Sequence, residues 1–325
     1  MAGATEGTDV FSVARALLLD RAAGRAFQHL AASGVPSILL KGATIATWLY
    51  TDGSARPYRD IDLLVSPADF DRAINLLAEL GYVLRVAGAD ASELGPKELE
   101  LVGPGNVCID LHHGLLGAEA PPDHCWNVLS GRTIRMSVGG AEEVRVLDVP
   151  ARAMHLALHA AQNGPVDRKA INDLERGLAT LDRSDWVEAT KVAEEIGALE
   201  AFAAGLRILP AGRVLADDLA LTRTMSVELA LRTRSVTQNA IFFERLADTA
   251  GARNKIRLLV RKMFPTAATL RLNSPLANRG RLGLLCAWAV HPFSVAVRFV
   301  PAFLAWFQAR RSTSVRRDST AFGDQ

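Results

Sequence analysis

The sequence predicts an α+β protein, with a mixed β-sheet and flanking helices in the N-terminal half and an all-α C-terminal half. Three observations lead there. Helical and strand-like segments alternate through the first 149 residues, helical periodicity runs almost unbroken after Pro150, and Arg59-Asp60-Ile61-Asp62-Leu63-Leu64-Val65 puts two carboxylates one residue apart at the head of an apolar run. With 325 residues, 49% hydrophobic and 22% charged, the chain can bury a real core and is long enough for two domains, expected at 1–149 and 150–325.

Residues 10–32 have amphipathic helical spacing and stop at Ser33-Gly34, where Gly34 suits a left-handed cap. A short apolar strand, Ser37-Ile38-Leu39-Leu40, runs into Lys41-Gly42 and a helix over 43–50. The turn-rich Asp52-Gly53-Ser54-Ala55-Arg56-Pro57 then leads into the Asp60/Asp62 strand. Ser66-Pro67 opens a helix with Phe70, Ile74, Leu77 and Leu80 on one face, ended by Gly81. Strands are expected at 82–86, 98–102, 107–112, 133–138 and 143–147. Helices are expected at 151–162, 167–181, 186–196, 199–209, 227–247 and 252–263.

The formal charge is only +2, but residues 251–325 hold 13 Lys/Arg against Asp318 and Asp324, while the first 250 residues carry 24 basic and 33 acidic groups. The C-terminal part therefore suits an anionic partner, whether nucleotide, RNA or membrane surface, or else ends in a solvated basic tail. Cys108, Cys125 and Cys286 form no CxxC and no even framework, which fits a reducing, cytoplasmic setting, and no signal peptide is visible. In the apolar stretch 282–307, His291-Pro292, Arg298 and Pro301 are expected to leave pieces shorter than the roughly 20 residues of a membrane span. Packed or interfacial helices are expected there, with peripheral membrane contact open and no transmembrane helix.

Strand alternation sets Asp60 and Asp62 on one face, and Cys108, Asp110 and His112 together on a face of the later strand. Two adjacent carboxylates repel unless a cation sits between them, and three on neighbouring strands suit two Mg²⁺ ions about 4 Å apart. Upstream, Gly42 allows close backbone approach to a phosphate, and Lys41 adds positive charge at a helix start. His112 either holds Asp110 or the nucleotide, or is structural. His155 and His159, one turn apart, read as packing residues, and Asp173, Glu175 and Arg176 as a surface salt-bridging set. Cys108, His112, His124 and Cys125 match no common zinc spacing. Arg253, Lys255, Arg257, Arg261 and Lys262 read equally as a solvated face or an RNA groove.

Lys41-Gly42, Arg56, Arg59-Asp60-Ile61-Asp62-Leu63-Leu64-Val65 with Gly81-Tyr82, and Ile109-Asp110-Leu111-His112 resemble the uncharacterised nucleotidyltransferases of the DNA polymerase beta-like superfamily. Leu156-Ala157-Leu158-His159-Ala160, Asp173-Leu174, Phe264-Pro265 and Arg271 are similar to its helical and C-terminal parts, so the resemblance covers most of residues 30–275. It implies a Mg²⁺-dependent enzyme that moves NMP from an NTP, ATP included, to a hydroxyl or phosphate of a small molecule, a peptide or RNA. It further implies that Asp60 and Asp62 bind both metals, and that Asp110 binds the catalytic one and helps deprotonate the acceptor. By the same resemblance Lys41, Gly42 and Thr44 lie along the triphosphate, and Arg56 steadies a phosphate or the metal-binding loop.

Two departures stand out. Many superfamily members carry Gly-Ser where Lys41-Gly42 stands, which leaves Thr44 as the nearest hydroxyl; and Asn163-Gly164-Pro165 stands where a more basic, aromatic connection is expected. Two other functions stay open: a nucleotide- or RNA-binding module with little turnover, and a membrane-surface protein working through residues 282–307.

Overall fold

The computed structural model describes residues 3–52, 54–85, 98–233 and 238–321, giving only the backbone for 3–12, 238, 268, 272, 273 and 312–321. The chain is α+β, as the sequence predicts. It divides into two compact units, one holding the described residues up to 162 together with 167–221, the other residues 163–166 and the described residues from 222 onward. The first unit thus reaches well past the expected boundary at residue 150.

The first unit is built on a seven-stranded mixed sheet. In chain order its strands are β1 (Ser37–Leu39), β2 (Asp60–Val65), β3 (Val83–Leu84), β4 (Glu98–Gly103), β5 (Val107–His112), β6 (Thr133–Val138) and β7 (Ala141–Leu147). Across the sheet the order is β3-β4-β5-β2-β1-β7-β6. Pairs β2/β5 and β1/β7 are parallel; the others are antiparallel. The far end of the expected 82–86 strand lies outside the described residues. Centrally placed between β1 and β5, β2 is covered on both faces, so Ile61, Asp62, Leu63, Leu64 and Val65 are all buried. The long first helix, α1 (Gly3–Ala32), supplies Leu19, Ala26, Phe27 and Leu30 to the core that these strands share with α3 (Phe70–Glu79). A short helix, α2 (Ala43–Leu49), follows β1, and Ser66 caps the turn before α3, accepting from the Asp69 N–H as its sequence position foretells.

Helices α4 (Pro122–Ser130), α5 (Val149–Asn163), α6 (Arg168–Thr180), α7 (Arg183–Glu195), α8 (Leu199–Leu206) and α9 (Pro210–Asp218) complete this unit. Helix α4 has no counterpart among the sequence expectations. Helix α5 is buried almost throughout, from Ala151 to Ala161.

The second unit contains α10 (Val227–Thr233), α11 (Gln238–Asp248), α12 (Ala252–Met263), α13 (Ala267–Asn273) and α14 (Gly280–Ala321). Here the structure corrects the sequence reading: α14 is one helix of 42 residues that runs through both Pro292 and Pro301. Each proline removes one N–H from the helical ladder. Packing offsets that loss, since Leu284, Ala287, Val295, Ala302 and Ala309 bury one side of α14 along its length. By length and composition alone, its stretch Gly280–Arg311 could cross a membrane.

Candidate active site

The site grows from the β2/β5 pair. Parallel register sets Asp62 directly opposite Asp110 and Asp60 opposite Cys108, while antiparallel β4 sets Glu100 opposite Asp110 and Glu98 opposite His112. Asp62 is 2% exposed; Asp60 and Asp110 are half-buried. Strand geometry thus brings together the three carboxylates that the sequence singles out, and adds two glutamates from β4.

Lys41 enters from the end of β1. Its Nζ lies 2.7 Å from Asp62 Oδ1, and His112 Nε2 lies 3.2 Å from the same oxygen. His112 Nδ1 in turn faces Glu98 Oε2 at 3.3 Å. Burial works against the Asp62 charge, but Lys41 and then His112 outweigh it and hold the carboxyl far below the ordinary range. Asp110 goes the other way. Burial, together with the charges of Asp62 and Asp60, lifts its pKa to about 7. Lys41 loses some basicity to burial and regains more from Asp62, Asp60 and Asp110, so it stays protonated.

Gly42 has φ +72°, a left-handed conformation that suits glycine, and a Cβ there would stand 3.4 Å from the Tyr58 ring. Arg56 is fixed behind this turn. Its Nε donates to Asp173 Oδ1 at 2.7 Å, its Nη2 to Asp173 Oδ2 at 2.5 Å, and its Nη1 to the Gly42 carbonyl at 3.4 Å. Tyr50 adds a hydroxyl bond to Asp173 Oδ1 at 2.8 Å. The surface reading of Asp173 is therefore overturned: it is fully buried on α6 and is the anchor for Arg56. Thr44 is likewise fully buried, its hydroxyl donating to the Leu40 carbonyl at 3.2 Å. The Thr44 hydroxyl and the Arg56 guanidinium are thus engaged in shaping the turn.

His155 and His159 lie buried on α5, as packing residues would. Burial first, and then the Lys41 charge, lowers the pKa of His155 to about 3 and that of His159 well below its ordinary value, so both are neutral. They therefore add no positive charge to the carboxylates. Among the described residues, no three His, Cys, Asp or Glu side chains already converge as a metal cage. The donor chemistry nonetheless fits a hard cation, because three oxygen donors stand on adjacent strands with Lys41 as the ion-paired cation and Asp110 short of positive charge.

A mixed sheet that sets paired strand carboxylates beside a Lys-Gly turn and a short helix defines the protein's class as a nucleotidyltransferase scaffold. The model of the uncharacterised nucleotidyltransferase family matches residues 10–211, and the chain belongs to that family. Among solved structures, that of the antibiotic-resistance factor ANT(2'')-Ia is similar at 17% identity and a TM-score of 0.39, over 58% of this chain and 96% of that one. No curated protein matches the chain.

Proposed function

We propose that the protein is a Mg²⁺-dependent nucleotidyltransferase that moves an NMP group from an NTP to a hydroxyl or phosphate of an acceptor and releases pyrophosphate. The observation that carries this reading is the direct register of Asp62 with Asp110 on parallel strands, with Asp60 on the same strand. Asp62 alone of the three has an ion-pair partner among the described residues. Asp60, Asp62 and Asp110 would hold the metal, with Mg²⁺ supplying charge neutralisation for the triphosphate and the departing pyrophosphate.

The residues themselves position and move protons. A hydroxyl acceptor forms its bond to the α-phosphorus as the bond to the bridging oxygen of the β-phosphate breaks. Pyrophosphate leaves with the electron pair, and the acceptor proton passes to a carboxylate oxygen of Asp110, whose proton affinity burial and then the neighbouring carboxylates raise. Lys41 offsets phosphate charge, and Gly42 lets the backbone approach it. Arg56 acts through the turn, holding the Gly42 carbonyl while Asp173 holds Arg56. Thr44 supports the same turn from within.

The Lys41–Asp62 pair favours one second reading, a nucleotide-binding module with little turnover, because it neutralises a ligand carboxylate. Incubation with each α-labelled NTP, Mg²⁺ and cell extract separates the two. Label in a small-molecule, protein or RNA fraction supports transfer and identifies the acceptor class; NTP binding with no transfer from any nucleotide supports the second reading.

A further inference from the structure

The second unit carries an exposed apolar face with no counterpart in the transfer reaction. On α14, Leu282, Leu285, Val290, Phe293, Val297, Val300, Phe303, Leu304 and Phe307 are all exposed, from 44% at Phe303 to 75% at Phe293 and 76% at Val297. Their spacings of one to five residues place them in an arc of roughly 140° at 100° per residue, along about 38 Å of helix. The opposite side, through Leu284, Ala287, Val295, Ala302 and Ala309, is packed within the unit. Soluble monomers rarely leave an apolar strip of this length uncovered.

Charge surrounds this face without entering it. Arg279 and Arg281 stand at one end and Arg310 and Arg311 at the other. A cavity of about 470 Å³ borders the row at Val290 and is lined by Arg261, Lys262, His291 and Arg298. Helix α12 has the same character, with Ile256, Val260 and Phe264 exposed at four-residue spacing among Arg253, Arg257, Arg261 and Lys262.

We propose that the α14 face is a docking surface for an anionic phospholipid bilayer, with the helix lying in the plane of the interface. Apolar side chains enter the acyl boundary while the flanking cations meet lipid phosphates. Charge complementarity singles out this occupant. Residues 251–325 hold 13 Lys/Arg against Asp318 and Asp324, so two copies pressed together on this face would bring like charges together. RNA would gain nothing from an uncharged apolar strip. A spanning orientation is disfavoured by the packed side, because α10 and α11 would carry the Glu228–Arg232 ion pair and Glu244 into hydrocarbon.

The test is flotation of the full chain with phosphatidylcholine vesicles, with and without phosphatidylserine. The expected result is binding to serine-containing vesicles that weakens with salt and with loss of phosphatidylserine. Phe293→Glu with Val297→Glu, at exposed positions that leave the packed side intact, should weaken it at least about tenfold. Arg253→Gln with Arg257→Gln should weaken binding and flatten its salt dependence. Release by alkaline carbonate supports the in-plane orientation, and retention overturns it. The proposal is also overturned by an absence of vesicle binding, by equal binding of the glutamate variant, or by a dimer that this variant converts to monomers without any lipid association. NTP use by the glutamate variant is read in parallel, so failure here is distinguishable from failure of the transfer reading.

Discussion

The Lys41 ammonium lies 2.7 Å from Oδ1 of Asp62, so the protein's own cation neutralises one carboxylate of the strand pair, while Asp110 opposite it has no ion-pair partner among the described residues. The unequal treatment separates the two groups chemically. Asp62 stays ionised, and Asp110 takes a proton near neutrality. In the proposed reaction, that difference would suit Asp62 to anchoring and Asp110 to accepting a proton.

Asp60→Asn and Asp62→Asn should each lower metal-dependent NTP use by roughly 10²-fold or more, the usual cost of one lost transition-state electrostatic contact. Their stabilities should differ. Asp60 is half-buried without an ion-pair partner among the described residues, so its variant should melt close to wild type. Asp62→Asn leaves the largely buried Lys41 ammonium unpaired and should cost about 1–3 kcal/mol. Turnover assays and denaturant melts check both, and wild-type turnover in either variant would remove the metal-ligand assignment.

Stability should depend on pH through Asp110. Its carboxyl holds a proton up to about pH 7 in the folded chain, whereas in an unfolded chain it lets go near about pH 4. The native state binds the extra proton across that window, so this contribution is full below the lower value and is lost as pH rises to the upper one. His155, whose pKa burial lowers to about 3, slopes the opposite way, so the quantity to measure is wild type against Asp110→Asn. The variant should gain on wild type in melting temperature as pH rises. Parallel curves would reject the raised Asp110.

Mg²⁺ with an NTP should raise the melting temperature clearly, and Mg²⁺ alone only weakly, because nucleotide phosphates complete the coordination shell. Binding at neutral pH should also release a proton as Asp110 ionises. Calorimetry in buffers of different ionisation enthalpy reads that proton, and an enthalpy independent of buffer would count against Asp110 as a ligand.

Arg56→Ala and Asp173→Asn each break a pair whose two side chains are only 1% exposed, and each should cost about 3–5 kcal/mol. Arg56→Lys should recover little, since one ammonium cannot reproduce the two-point contact with both Asp173 oxygens. Thermal melts, with NTP affinity measured on the variant that stays folded, check this.

Much of the site is legible in sequence because strand alternation is a local rule: Asp60-Ile61-Asp62 and Asp110-Leu111-His112 follow from it directly. The Lys-Gly turn is local too. What escapes is long-range. Nothing in the helical repeat around Asp173 shows that Arg56, 117 residues earlier, reaches it, and a polar residue among charged neighbours on a helix reads as surface. Nor does residue order reveal that Lys41 closes on Asp62. In α14 local rules mislead, because Pro292 and Pro301 are breakers by propensity and only the packed side explains why the helix passes through them.

The Arg56–Asp173 anchor also sets an order of assembly during synthesis. As the chain leaves the ribosome, every strand of the sheet is available before α6, yet the turn behind the carboxylates has no counter-ion for Arg56 until α6 has emerged. A fragment cut at residue 150 would keep the sheet and all three aspartates while exposing an orphaned guanidinium. The sheet-bearing half is therefore not a transplantable cassette, and grafts or truncations must carry α5 and α6 with it.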